Sequence, residues 1–176
     1  MKTIFTLGIC SLFLFSSCSY YLSPYTTQVQ KQSNLNEEQL KKIQFYLSGD
    51  IVLYKALGKS ETEISEGSIK IVNGEKVEEF VIASGTPGVV IGMEGDVLKV
   101  SFDSDGSYLL FGANSDYGGK YTLMAKQWEG RTGILDYAGK EYKATPESIY
   151  AFLTLNLEKI NSKTVESKHA GGRTIE

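Results

Sequence analysis

The sequence predicts an all-β domain, an antiparallel meander that forms a small barrel or a sandwich, with a short N-terminal helix possible before it. Three observations carry this. Apolar residues alternate with polar ones from Ile43 onward, the period of a strand with one buried face. Asn73-Gly74 sits between two alternating runs, and this dipeptide suits a type I′ hairpin turn because both central residues need positive φ. Turn residues then recur through the chain at Pro87-Gly88, Gly95-Asp96, Asp105-Gly106, Gly118-Gly119, Gly130 and Gly139. Strand-and-turn units of about 8–12 residues mark a sandwich or barrel rather than an α/β fold.

Taken in order, Asn36 with Gln39 three residues later reads as a capping box opening a short helix through about Lys42. Ile43, Phe45, Leu47, Ile51, Leu53 and Leu57 share one parity with Gly49 among them, which reads as one long strand bent at a glycine. A helix continuing to Leu47 is the competing reading, so residues 43–47 stay open between helix and strand. Residues 68–72 and 77–82 flank the Asn73-Gly74 turn as a hairpin. Pro87-Gly88 fits a type II turn, with Pro fixing φ and Gly left-handed. In the next strand Leu98, Val100 and Phe102 face one way and Lys99 and Ser101 the other. Ala151, Leu153, Leu155 and Leu157 alternate with Phe152, Thr154, Asn156 and Glu158 as a last long strand.

The N-terminus has a different character. Lys2 precedes an apolar run from Ile4 to Phe15, too short for the ~20 residues that span a bilayer as a helix. Ser16, Ser17 and Cys18 follow. Leu14-Phe15-Ser16-Ser17-Cys18 resembles the lipobox of bacterial lipoproteins, in which an aliphatic residue and two small ones precede the cysteine. Phe15 departs from the commonest form, with Leu14 one place earlier. The resemblance implies cleavage before Cys18, acyl chains on Cys18 and a lipid-anchored protein of the cell membrane. Ser19 resembles the outer-membrane address of Gram-negative lipoproteins, with the domain facing the periplasm or the surface. A plain secretory signal and an uncleaved anchor are the rivals. Against plain secretion, no A-x-A pattern precedes Ser19; Cys10, preceded by bulky Ile9, is the weaker lipidation candidate. The expected organisation is therefore residues 1–17 as signal peptide, 18–35 as a polar lipid-anchored tether, and 36–176 as a single β-domain. A fully stretched tether would reach on the order of 55 Å, with Tyr20, Tyr21 and Tyr25 placed either at the headgroup layer or against the domain.

Charge narrows the function. Losing Lys2 lowers the basic count from 18 to 17 against 21 acidic residues, a formal charge of −4. The charges are interspersed, which argues against nucleic acid and against electrostatic docking on anionic lipid. With Cys10 removed and Cys18 acylated, no thiol remains for a disulfide, a metal or a nucleophile.

The chemical motifs fail one by one. Gly58-Lys59-Ser60 and Gly119-Lys120 lack the glycine spacing of a phosphate loop. His169, near the terminus, is the single histidine, so a zinc constellation or a Ser/His/Asp triad has too few members. Asp103-Ser104-Asp105-Gly106 opens like a calcium loop, but Asn114 stands where the bidentate glutamate belongs, so a hairpin turn is expected. Glu78, Glu79 and Asp103 are the carboxylates an enzyme would have to use, and nothing pairs them in sequence. No catalytic residue, cofactor or metal is expected.

Gly85-Thr86-Pro87-Gly88-Val89-Val90, the Gly95-Asp96 turn and the strand from Leu98 to Phe102 resemble the opening of SH3-like small barrels. The resemblance covers roughly 25 residues, implies a small barrel and carries no function.

Aromatic residues are the remaining signal. Of the 11 tyrosines and one tryptophan, Tyr46 and Tyr54 fall opposite the apolar parity of the first strand, with Val52, and Trp128 lies near a turn. These three residues are the expected interaction surface. The reading is a non-catalytic β-domain that serves as a protein-interaction or assembly module in the cell envelope, accessory to a secretion-type complex, with an envelope protein as partner. The alternative is a surface lipoprotein that binds glycan by stacking on Tyr and Trp side chains.

Overall fold

The computed structural model describes residues 21–57, 68–72 and 75–164. Its strands form two antiparallel sheets. The first, in spatial order, consists of β1 (Ser23–Pro24), β13 (Leu153–Leu155), β2 (Gln44–Leu47), β6 (Pro87–Glu94), β7 (Val97–Ser101), β8 (Leu109–Asn114) and β9 (Lys120–Leu123). The second runs β10 (Gln127–Glu129), β11 (Thr132–Tyr137), β12 (Lys140–Ala144), β3 (Ile51–Ala56), β5 (Glu75–Ile82) and β4 (Ser68–Val72). The all-β class stands, as a sandwich-like arrangement rather than a closed barrel. The first sheet does curl strongly. Isolated bridges join Thr26 to Lys120 and Thr122 to Phe152, and the Tyr121 amide donates to the Tyr25 carbonyl at 3.0 Å.

One core lies between the sheets, and period two explains its membership. Ile43, Phe45, Leu47, Ile51 and Leu53 are all buried in a single cluster with Leu98, Val100, Leu135 and Tyr142, each full burial stabilising by about 1.5–3 kcal/mol. The expected bend at Gly49 is sharper than a curl. The chain leaves the first sheet at Leu47 and enters the second at Ile51, so one expected strand is two, and the open choice at residues 43–47 resolves to strand over 44–47, with a bend at Ile43. Ser84 braces this crossing: its amide donates to Asp50 Oδ1 at 2.7 Å and its hydroxyl to the Ser48 carbonyl at 3.1 Å.

The capping box forms as read: Asn36 accepts from the Gln39 amide at 2.9 Å and Gln39 accepts from the Asn36 amide at 3.0 Å, opening α2 (Glu37–Leu40). Strands β4 and β5 pair with Val72 opposite Glu75; the Asn73-Gly74 turn, Gly58-Lys59-Ser60, His169 and Cys18 lie outside the described residues.

Three expectations need correction. The tether does not extend to Leu35. From Ser23 the chain belongs to the fold: β1 pairs with β13, Tyr25 is fully buried, and α1 (Thr27–Ser33) is capped by Thr26 accepting from the Val29 amide at 3.2 Å. The polar composition of this stretch belongs to a surface helix, and one buried ring fixes it. Second, Pro87-Gly88 is strand, not turn; the reversal lies just before it, where Gly85 has φ of 80°. Gly88 serves close packing instead, since a Cβ there would fall 2.6 Å from Phe102 Cε1. Third, the last long strand is only β13. A 3-10 turn (Pro146–Tyr150) precedes it and α3 (Leu157–Thr164) follows. All three β13 residues are buried, because α1 and α3 lie together near this end and the sheet curls around it.

Candidate functional site

The fold separates the residues that the sequence placed on one surface. Tyr46 lies on β2 between Thr154 and Pro87 of the first sheet, whereas Tyr54 lies on β3 between Lys143 and Glu79 of the second. Both are half-buried, so they do not make the single exposed patch that a continuous strand would have given. Trp128 is the member that remains exposed. It sits on β10, which ends the second sheet and, among the described residues, pairs only with β11.

Its surroundings are assembled from three turns. Trp128 is directly opposite Gly133 across the β10–β11 ladder. A Cβ on Gly133 would fall 2.9 Å from Trp128 Cζ3 and 3.0 Å from the Ala125 methyl, so the glycine is the seat that lets the indole settle on the sheet. Gly130 turns the hairpin with φ of 63° and delivers Arg131. Arg131 Nη2 donates to Tyr150 Oη at 2.6 Å, and its guanidinium carbon lies 5.6 Å from the Tyr150 ring centroid. Tyr117, from the 3-10 turn Ser115–Tyr117, meets the Tyr150 ring edge to face at 5.6 Å. Loss of water around Tyr117, and then its hydrogen bond to Tyr150, hold its phenol above the ordinary tyrosine range.

Trp128, Arg131 and Tyr117 border a cleft of about 390 Å³, lined also by Met124. Met124 and Trp128 are 39% and 42% exposed, and Tyr150, which packs on Tyr117, is 45% exposed. Asn114 at the cleft floor is already engaged, accepting from the Asp116 amide at 3.0 Å. What the cleft offers a ligand is π faces, a thioether, a guanidinium and phenol hydroxyls, all of them groups that bind.

The carboxylates weighed for catalysis do not line the Trp128 cleft. Glu78 and Glu79 point to opposite faces of β5, with Glu78 only 2% exposed. Asp103 and Asp105 build a turn, Asp103 accepting from the Ser104 amide at 2.7 Å and Asp105 from the Ser107 amide at 2.8 Å. Asp136 is paired with Lys126. Among the described residues no three His, Cys, Asp or Glu side chains are grouped to hold a metal ion, and no helix is long and apolar enough to cross a membrane.

Arg131, Tyr117 and Met124 carry as much of this site as Trp128, and sequence reading did not join them to it. The local signal was the turn Trp128-Glu129-Gly130-Arg131; the other partners arrive from distant turns. Fold and cleft together define a sandwich-like all-β protein with an aromatic, arginine-bearing recess at one sheet edge. Comparison with known proteins found no matching family model, no matching curated protein and no matching solved structure.

Proposed function

We propose that this chain is a lipid-anchored envelope protein whose β-domain docks a protein partner through the Trp128 cleft. The observation that carries the reading is the grouping of Trp128, Tyr117 and Arg131 around one open recess, with Tyr150 held against the last two. Trp, Tyr and Arg are the side chains most enriched in interface hot spots, where large rigid contact area combines with directional hydrogen bonding. The Arg131–Tyr150 hydrogen bond pre-orders two of them, which lowers the conformational entropy lost on docking.

The lipobox supports the anchor, and the shortened tether changes its meaning. Four residues separate Cys18 from Ser23, a span of about 14 Å when extended. Such a protein works close to the headgroups, and its partner is an envelope protein reachable there. Glycan binding is the second reading, favoured by the indole seated over Gly133, which leaves a surface on which a sugar ring can stack.

In vivo crosslinking followed by purification tests the reading. Wild type captures a discrete envelope protein, Cys18→Ala loses it through release from the membrane, and Trp128→Ala combined with Arg131→Glu loses it while still anchored. An anchored double variant that captures the same protein as wild type overturns the docking site. Binding on a glycan array that vanishes with Trp128→Ala would transfer the site to the second reading.

A further inference from the structure

A second cleft lies between the sheets; it shares Met124 with the Trp128 cleft. It has a volume of about 560 Å³ and is walled by Tyr108, Leu109, Leu135 and Tyr137, within the range of small-molecule sites. A smaller recess of about 160 Å³ adjoins it, sharing Asp105, Tyr137 and Ala138. Glu78, Phe80 and Tyr142 line that recess.

Glu78 is the unusual member. It is 2% exposed, and its Oε1 is buried with no hydrogen-bond partner among the described residues. An unmatched buried carboxylate oxygen is costly, because desolvation is not repaid. The other carboxylates bordering these spaces are engaged: Asp105 accepts from the Ser107 amide and hydroxyl, and Asp136 is paired with Lys126. Lys140 Nζ approaches Glu78 Oε1 at 3.9 Å, beyond hydrogen-bonding distance. Its side chain is 38% exposed, so it reaches in from the rim. Around Glu78 stand aromatic rings, with the Phe80 and Tyr137 centroids 4.8 Å apart and those of Tyr137 and Tyr142 6.5 Å apart.

We propose that this recess binds a primary alkylammonium group, its N–H donating to Glu78 Oε1 and its apolar stem lying in the larger cleft against Leu109 and Leu135. A buried anion walled by aromatic rings suits a cation, since the ring faces add attraction to the charge pair. The missing hydrogen bond selects an ammonium that carries N–H donors over a quaternary one. Lys140 competes with the ligand, supplying a weaker ammonium when the recess is empty.

The test is titration of the Cys18→Ala protein with n-hexylammonium, hexyltrimethylammonium and 1-hexanol, read from the ring NMR signals of Tyr137 and Tyr142. The expected order places n-hexylammonium tightest, with 1-hexanol about tenfold weaker or more. Glu78→Gln lowers n-hexylammonium affinity by about tenfold, and Lys140→Ala raises it. Equal binding of 1-hexanol, a folded Glu78→Gln protein with unchanged affinity, or no ring shifts overturns the proposal. Tighter binding of hexyltrimethylammonium than of n-hexylammonium overturns the hydrogen bond to Oε1. If Glu78→Gln does not fold, the wild-type ligand order and the Lys140→Ala gain decide.

Discussion

Replacing Tyr25 separates a folded N-terminal segment from a solvated strap. The ring is fully buried, 5.2 Å from the Phe45 centroid and 4.7 Å from that of Tyr121. Its backbone is stitched on both sides, the amide donating to the Leu153 carbonyl at 2.8 Å and the carbonyl accepting from the Tyr121 amide at 3.0 Å. Truncating a buried aromatic to alanine costs about 3–5 kcal/mol through lost transfer energy and the cavity left behind. At about 2–4 °C per kcal/mol for a domain of this size, Tyr25→Ala should lower Tm by roughly 6–20 °C. Tyr25→Phe should behave oppositely. Among the described residues the hydroxyl is buried without a hydrogen-bond partner, so removing it relieves a desolvation penalty and leaves stability unchanged or raised by about 1 kcal/mol. Circular-dichroism melts of the purified protein read both. A Tyr25→Ala variant melting within about 2 °C of its parent would show that the ring is not part of the core. Loss of more than about 1 kcal/mol in Tyr25→Phe would show that the hydroxyl has a partner after all.

Other outcomes follow from single positions. Gly88→Ala places a methyl 2.6 Å from Phe102 Cε1 and 2.9 Å from Val100 Cγ1, and overpacking of about 1–3 kcal/mol should lower the urea midpoint; an unchanged midpoint would mean the strand yields freely. Asn36→Ala removes the acceptor for the Gln39 amide and should cost about 1 kcal/mol in the same assay, whereas no change would mean the capping box contributes nothing. Burial, and then the charge of Asp96, push the Tyr121 phenol up to about 12, and burial chiefly raises Tyr25 as well. Both folded-state values exceed the unfolded value of about 10, so their contribution is fully present below pH ~10 and is lost as pH rises through about 12. Tm should therefore hold to pH ~10 and then fall, with Tyr121→Phe falling less. Ionisation of every tyrosine near pH 10 with the fold intact, followed by ultraviolet absorbance, would contradict this.

The fold class was legible because half-buried strands announce themselves by alternation. Leu98 and Val100 are buried as their spacing required, and the bend at Gly49 falls where the glycine stands. The rule weakens where a strand is covered on both faces. In β13 Thr154 is buried alongside Leu153 and Leu155, so polar-apolar alternation there implied an exposed face and a longer strand than the chain makes. It weakens again where a glycine's purpose is spatial. Gly88 reads as a turn from its neighbour Pro87, yet Phe102 decides its role from fourteen residues away. Thr26-to-Asn34 looked like a strap because its helix has no buried residue of its own. Trp128 could be chosen from the sequence because tryptophan is rare and amphipathic. Arg131, Tyr117 and Tyr150 could not be joined to it, since only the packing of three separate turns brings them together.

Photo-crosslinking in intact cells tests the central claim most directly. With p-benzoylphenylalanine replacing Trp128, the anchored protein should yield one discrete adduct with an envelope protein. The same group at Val81, exposed on β5 of the second sheet, should yield none. Adducts of equal pattern at both positions, or none at Trp128 while the protein is folded and membrane-bound, would contradict the account.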